Sequence, residues 1–149
     1  MTELIISQEE ANRLIALKKR AENGDTYTFP DLGGSVNIPI ISNDYKENFF
    51  LDVARGRINL VKGTNQIRSH QVVVLLRLDF NGPPHRNPDG EEIPCPHIHI
   101  YKEGFGDKWA YPAPADIFAN INDGFQTLYD FMKYCNIEYF PNIRRGLFT

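Results

Sequence analysis

The chain has 149 residues, a length typical of one domain that buries a hydrophobic core without disulfides. Its net charge of −3 excludes a general electrostatic attraction for nucleic acid, so any such contact must come from a local basic patch. No segment reaches the roughly 18 apolar residues of a membrane span, and residues 1–6 are too short for the core of a signal peptide. We therefore expect one cytoplasmic domain over residues 1–149, with no membrane partner.

The first predicted element is a helix over residues 8–22. Ser7-Gln8-Glu9-Glu10 has the capping-box pattern, in which the serine side chain accepts a hydrogen bond from the glutamate amide. Apolar residues then recur at helical spacing, and basic residues close the last turn, where cations suit the helix dipole. Asn23-Gly24 supplies the stop signal.

From Asp25 onwards apolar residues recur at every second position, which predicts β-strands. Pro39 indicates an edge strand, because proline cannot donate to a neighbouring strand. Gly56 is predicted to turn a hairpin through a positive φ. The predicted strands cover residues 26–29, 36–40, 48–53, 57–61, 71–80, 97–101 and 108–111.

The pattern becomes helical again near the C-terminus. Asp123 can cap a helix in which Phe125, Leu128, Met132 and Cys135 share one face. Residues 137–140 fit a strand or an apolar tail, and residues 142–149 are expected to be loose. The predicted fold is α+β: one domain with an N-terminal helix, an antiparallel sheet of about five or six strands and a C-terminal helix.

The stretch from Arg77 to Tyr101 holds the residues best suited to chemistry. Along a strand, His97, His99 and Tyr101 project from one face because successive side chains alternate. Arg77 and Asp79 have the same two-residue spacing in the long strand before them. If the two strands pair, these five side chains form one polar cluster.

One interpretation of this cluster is acid–base catalysis. His97 or His99 would act as general acid or base, because imidazole titrates near neutral pH. Arg77 or Arg57 would bind phosphate through the fork of the guanidinium group. A histidine that transfers protons and an arginine that binds phosphate are the residue types required for metal-independent RNA cleavage through the 2′-hydroxyl.

Two other interpretations involve the same histidines. His97 and His99 could bind a metal together with Asp79, His85 or Cys95, since zinc takes three or four nitrogen, sulfur or oxygen ligands. They could also be structural, hydrogen-bonded within a polar sheet face. Because no second ligand pair with typical zinc spacing accompanies them, we expect no cofactor and a fold that does not need zinc.

The loop at residues 81–96 is long and rich in proline, and long loops in compact domains are commonly functional. Asn87-Pro88-Asp89-Gly90 predicts a tight turn at its tip. His85 and Arg86 on one arm are candidate substrate-binding residues. Cys95 on the other arm is a candidate nucleophile, with His97 as its base.

A second basic group consists of Arg55, Arg57, Lys62 and Arg68. Arg55 and Arg57 flank Gly56, so both could project from a hairpin tip and contact phosphate as substrate-binding residues. The alternative is a solvated turn without a binding role.

Four segments resemble an uncharacterised family of small bacterial and phage proteins. They are Arg55-Gly56-Arg57-Ile58, Leu76-Arg77-Leu78-Asp79, Pro83-Pro84-His85 followed by Asn87-Pro88-Asp89-Gly90-Glu91, and Pro94-Cys95-Pro96-His97-Ile98-His99-Ile100-Tyr101. The resemblance covers about residues 48–112 and implies no known activity. The Pro-His-x-His strand also resembles a segment of small domains found near toxin–antitoxin genes. These resemblances imply a phage, mobile-element or bacterial-defence setting.

We therefore expect a toxin-type, ribonuclease-like protein that acts on RNA. His97 and His99 would be the acid–base pair, Arg77 and Arg57 would bind phosphate, and Tyr101 would orient a histidine. The alternative is a non-catalytic module that binds a protein partner, such as a defence or antitoxin component, in the manner of an anti-CRISPR-type inhibitor. Its contact surface would be the acidic part of the loop, at Asp89, Glu91 and Glu92.

Overall fold

A computed structural model describes residues 5–146 and shows two helices and a large, mostly antiparallel sheet. The helices are α1 (Gln8–Ala16) and α2 (Gly124–Tyr134). The strands are β1 (Lys19–Ala21), β2 (Thr26–Thr28), β3 (Ser35–Ser42), β4 (Asn48–Arg55), β5 (Gly63–Ser69), β6 (Val73–Phe80), β7 (His85–Arg86), β8 (Glu92–Ile93), β9 (His97–Ile100), β10 (Ala110–Pro112), β11 (Ile137–Tyr139) and β12 (Asn142–Arg144). The predicted α+β class is confirmed.

Eight strands form the main sheet, in the order β10-β9-β6-β5-β4-β3-β1-β11. Its neighbours are antiparallel except β1 and β11, which are parallel. β2 and β12 form a separate parallel pair, and β7 and β8 form a small hairpin inside the 81–96 loop. The sheet exceeds the predicted five or six strands because short segments from both ends of the chain extend it.

One face of the sheet is covered by the helices. Leu76, Leu78 and Phe80 of β6 are buried in one core with Leu14 of α1 and Phe131 of α2. Arg77 and Asp79 alternate with these residues and therefore project from the opposite, polar face. These two candidate residues accordingly lie on the side of the sheet away from the helices.

The helix predicted over residues 8–22 is shorter in the structure and ends at Ala16. Its start is as predicted, because the Ser7 side chain accepts from the Glu10 amide at 3.1 Å. Residues 19–21 leave the helix to pair with both β3 and β11. Tertiary pairing thus overrides the helical propensity of the basic segment.

Lys19 joins the ends of the two helices. It is fully buried, and its ammonium group donates to the carbonyl oxygens of Ile15, Leu17 and Cys135 at 3.0, 2.8 and 2.9 Å. Carbonyl groups at helix C-termini lack intrahelical donors and carry partial negative charge, so one lysine stabilises both ends. Burial lowers the pKa of Lys19 to about 8.

Pro39 is not in an edge strand, contrary to the prediction. β3 lies between β4 and β1, and Pro39 is opposite Phe50. The Pro39 carbonyl accepts from the Glu22 amide at 3.2 Å, just beyond the end of β1. Because the N–H and C=O of a strand residue point to the same side, the missing donor costs no bond to β4.

The hairpin prediction is wrong in its second strand. β4 pairs with β5, which begins at Gly63, and residues 57–61 form the connection between them. Gly56 does not have a positive φ. The glycine that geometry requires is Gly63, where a Cβ would clash with the ring of Phe80.

The C-terminal part is more ordered than predicted. Residues 142–144 form β12, while residues 147–149 lie outside the described part of the chain. In the range 5–146, no helix is both long enough and apolar enough to cross a bilayer.

We expect the free energy of unfolding to rise as the pH increases from about 8 to 9, because the folded chain releases the Lys19 proton while the unfolded chain, with the ordinary lysine pKa of 10.5, still holds it. The rise over this interval is about 1 kcal/mol. Above pH 9 the buried Cys135 thiol opposes it, because burial raises the pKa of Cys135 to about 12 and the unfolded chain loses the thiol proton first. Urea denaturation at a series of pH values measures the change.

Lys19→Met should lack this rise, and at pH 7 it should be less stable by roughly 3 kcal/mol because buried carbonyl groups lose their donor. Lys18→Met is the matched control, since the Lys18 side chain is 73% exposed. Parallel pH profiles for the wild type and Lys19→Met would contradict this assignment.

Candidate functional site

The pairing of β6 with β9 builds the site. The two strands are antiparallel, with Arg77 opposite His99 and Asp79 opposite His97. This confirms the predicted neighbourhood of the two histidines, the arginine and the aspartate on one face of the sheet. Residues that are two positions apart in each strand are thereby brought together in one cluster.

Both histidines converge on one carboxylate oxygen. Asp79 Oδ2 lies 3.2 Å from His97 Nε2 and 3.1 Å from His99 Nε2. The two imidazoles are only 2% and 1% exposed, and the three ligand atoms all lie within 4.8 Å of one another. Thr64 donates to the other oxygen, Asp79 Oδ1, at 2.9 Å. The carboxylate is therefore held from both sides.

The tautomer of His99 follows from its partners. Its Nδ1 lies 2.8 Å from the carbonyl oxygen of Asp107, which can only accept, so Nδ1 carries the proton. Its Nε2 lies 3.1 Å from Arg77 Nη2, which can only donate. In the neutral ring the Nε2 lone pair is therefore directed into the cluster, 3.1 Å from Asp79 Oδ2.

Electrostatics keeps Asp79 ionised. Burial alone would raise the pKa of Asp79, but the positive charge of Arg77 and the hydrogen bond from the Thr64 hydroxyl lower it. Burial lowers the pKa of His97, against the opposing attraction of the Asp79 charge. The cluster thus combines a stable carboxylate with an imidazole that burial biases towards its neutral form.

Arg77 is held by a residue that the sequence analysis did not identify. Its Nη1 donates to Asp107 Oδ2 at 2.7 Å, while its Nε lies 3.5 Å from Asp79 Oδ2 without hydrogen-bond geometry. Asp107 therefore has two roles, because its backbone carbonyl also orients His99. The positive-φ residues Gly104 and Gly106 turn this segment back towards β9, and this G-x-G-D pattern is the signal that could have identified Asp107.

The 81–96 loop brings a third histidine to the cluster. The His85 ring lies 4.5 Å from the His99 ring and 5.9 Å from the His97 ring, centroid to centroid. Its Nε2 donates to the Lys108 carbonyl at 2.7 Å. Arg86 points away and pairs with Glu92 across the β7–β8 hairpin at 3.2 Å. His85 thus covers the cluster, whereas Arg86 stabilises the hairpin.

A cavity of about 280 Å³, which we call the histidine cavity, opens beside His97. Asp79, His85, Cys95 and Lys62 also line it. Cys95 Sγ lies 3.5 Å from His97 Nδ1 and donates to the Pro83 carbonyl at 3.4 Å. Burial raises the pKa of the Cys95 thiol, and a reactive cysteine needs the opposite shift, so this geometry does not favour thiol catalysis.

Tyr101 is not oriented towards the histidines, contrary to its predicted role. β9 ends at Ile100, and the Tyr101 hydroxyl donates to the Ile6 carbonyl at 2.8 Å and accepts from the Ile6 amide at 3.0 Å. Its ring belongs to the hydrophobic core. The Asp107 carbonyl performs the orienting role instead.

Arg55 and Arg57 are also placed apart from the cluster. Arg55 donates to the carbonyl groups of Pro30 and Leu60, each at 3.2 Å, and Arg57 packs beside Gly33. The basic side chain that does line the histidine cavity is Lys62, another member of the predicted second basic group. No local pattern distinguishes Lys62, because its position depends on the β5–β6 pairing.

The model of a family of unknown function (DUF6978) matches residues 6–137, and the chain belongs to this family. No curated protein and no solved structure shows a significant match.

We expect His99 of the metal-free protein to be the Nδ1–H tautomer, because the Asp107 carbonyl accepts that proton. Long-range ¹⁵N–¹H correlation spectra of the imidazole rings measure the tautomer directly, and His99→Gln assigns the signal. His70, which is exposed, is the reference for a solvent-accessible ring. An Nε2–H tautomer for His99 would contradict the lone-pair direction derived above.

Proposed function

We propose that this member of the family binds a divalent transition-metal ion through Asp79, His97 and His99 and uses it to activate water. The proposal depends on the convergence of two Nε2 atoms on one carboxylate oxygen, at 3.1 and 3.2 Å. In a tetrahedral zinc site with bonds of about 2.0–2.2 Å, neighbouring ligand atoms lie roughly 3.3–3.6 Å apart. The two nitrogen–oxygen distances therefore need to lengthen by only a few tenths of an ångström.

The electronic arrangement supports a cation at this point. The neutral His99 Nε2 and the ionised Asp79 Oδ2 are both acceptors, and they lie 3.1 Å apart. Such a pair repels unless a positive charge is shared between them. Arg77 supplies that charge in the structure, and a metal ion would displace its Nη2 from His99 while Asp107 retains the guanidinium.

The surrounding hydrogen bonds resemble those that orient metal ligands in general. The Asp107 carbonyl holds His99 Nδ1, and the Thr64 hydroxyl holds the second oxygen of Asp79. Partners of this kind fix the tautomer and the ring orientation of ligating histidines and strengthen binding. The ligand set of two histidines and one carboxylate suits zinc, iron, manganese and related ions.

Three protein ligands leave coordination positions for water, which is the arrangement of catalytic rather than structural zinc sites. Asp79 and His97 line the histidine cavity, so such a position is accessible from it. A bound metal ion would lower the pKa of its water ligand and generate a nucleophile near neutral pH. Lys62 at the same cavity favours a negatively charged substrate.

We expect the protein to bind one equivalent of Zn²⁺, and His97→Ala, His99→Ala and Asp79→Asn each to weaken binding by about a hundredfold or more. Isothermal titration calorimetry of protein freed of metal by dialysis against chelator gives the affinity. Circular dichroism should be unchanged by the chelator, because the sheet and core form without the ion. Wild-type protein that binds no Zn²⁺, Mn²⁺ or Fe²⁺ would overturn the proposal.

Two variants sharpen this experiment. His70→Ala is the matched control, since it removes an exposed histidine outside the cluster and should leave the affinity unchanged. Arg77→Met should bind Zn²⁺ at least as tightly as the wild type, because it removes the competing donor to His99 Nε2. A loss of binding in His70→Ala would place the ion elsewhere.

A second candidate function is metal-independent cleavage of RNA. The observation that favours it is that His97, His85 and Lys62 line one cavity, where an imidazole and an ammonium group could act on the same phosphate. His97 lines this cavity and His99 does not, so His97 is the candidate general base for the 2′-hydroxyl. The 5′-oxygen would leave with a proton, and the product would carry a 2′,3′-cyclic phosphate.

For this second function we expect single-stranded RNA to be cleaved in the presence of EDTA, with a loss of about a hundredfold or more in His97→Ala. Denaturing gels with end analysis measure the products. Cleavage that EDTA abolishes and Zn²⁺ restores would instead assign RNA to the metal centre. Absence of cleavage under both conditions would contradict the second candidate and leave the zinc titration as the test of the first.

A further inference from the structure

A second cavity of about 280 Å³ lies on the helix side of the sheet, at the N-terminal end of α2, and we call it the helix-end cavity. Asn65 of β5 is one of its lining residues. The side chains on either side of Asn65 in sequence, Thr64 and Gln66, hydrogen-bond to Asp79 and Asp52 on the polar face. Asn65 therefore projects towards the helices, away from the histidine cluster.

Asn65 carries an unsatisfied donor. The residue is 1% exposed, and its Nδ2 has no hydrogen-bond partner among residues 5–146. A buried amide normally finds an acceptor, and leaving it without one is unfavourable. An unpaired donor in the wall of a cavity indicates that the cavity accommodates a ligand with an acceptor atom.

The helix terminus and the charges around it favour a negative ligand. The first amides of an α-helix have no intrahelical acceptor and attract anions. At α2, within residues 5–146, the Asp123 side chain accepts from the Gln126 amide alone, at 3.1 Å. The cavity is lined by three cationic side chains, Arg55, Lys62 and Arg145, against the single carboxylate of Asp123, which Arg145 pairs at 3.6 Å.

Three aromatic side chains form part of the remaining wall, together with aliphatic ones. Phe29, Phe80 and Phe125 line the cavity, and the rings of Phe29 and Phe125 meet edge to face with centroids 5.5 Å apart. Apolar walls with a few placed polar groups are typical of small-molecule sites. A simple inorganic anion would leave these walls in contact with water, whereas an aromatic anion would cover them.

We propose that the helix-end cavity binds a small anionic ligand with an aromatic group, whose carboxylate or phosphate accepts from Asn65 Nδ2 and the first amides of α2. This site is separate from the proposed metal centre and does not depend on it. The shared chemistry is an acceptor-rich anion attached to a flat apolar body.

Titration calorimetry with four probes tests the proposal: phenyl phosphate, benzoate, inorganic phosphate and benzyl alcohol. We expect phenyl phosphate or benzoate to bind with a Kd of about 1 mM or tighter, and the two partial probes to bind at least about tenfold more weakly. The stronger of the two aromatic anions identifies the headgroup. If neither aromatic anion binds, or benzyl alcohol binds equally well, the proposal is overturned.

Variants locate the binding. Asn65→Leu should weaken binding of the better aromatic anion by about tenfold or more. It should not lower the Tm, because it removes an unsatisfied donor. Asn37→Leu, at an exposed position of β3, is the control and should not change the affinity. Lys62→Gln changes a surface residue, which the fold tolerates more readily than a change at Asn65. It should also weaken binding of the anion. Unchanged affinity in both Asn65→Leu and Lys62→Gln would overturn the proposal.

Amide chemical shifts give a readout independent of the variants. Addition of the better aromatic anion to the full chain should shift the Gly124 and Phe125 amides at the start of α2. Shifts confined to the histidine cavity would show that the anion binds there and would overturn the assignment.

Discussion

The register of β9 against β6 is the constraint on which the polar cluster depends. Asp79 lies opposite His97 and Leu78 lies opposite Ile98. A slip by one residue would turn the histidines into the hydrophobic core and the isoleucine onto the polar face. Leu78 and Ile98 are 0% and 1% exposed, so their burial fixes the register. Packing on the apolar face of the sheet therefore determines where the polar cluster lies on the opposite face.

Buried charges are tolerated in this fold because each has specific partners. Asp79 is surrounded by a hydroxyl, two imidazoles and a guanidinium, and Lys19 by three carbonyl groups. A charge removed from water without such partners would be strongly unfavourable. The two cases differ in connectivity: Lys19 is fully saturated and structural, whereas Asp79 lines a cavity and remains accessible to a ligand.

The sequence was most informative where an element is long and its period is clear. The two-residue spacing of Arg77 and Asp79, and of His97 and His99, was enough to place the four residues together. The predicted end of the first helix was wrong because residues 19–21 have helical propensity. Their pairing with β3 and β11 depends on residues far along the chain. Tyr101 was misplaced because the alternation ends with β9 at Ile100. Lys62 reaches the site through a turn whose course no local pattern predicts, whereas the Gly104-Phe105-Gly106 turn before Asp107 is a local signal that was not used.

Lys62 and Phe80 line both the histidine cavity and the helix-end cavity, so the two sites share a wall at one end of the sheet. A single ammonium group cannot neutralise an anion on both sides of that wall at once. Occupancy of one cavity by an anion therefore withdraws positive potential from the other. Thermodynamic reciprocity makes this antagonism equal in both directions, so a ligand bound at α2 would act as a negative effector of anions at the histidines, with the sheet itself unmoved.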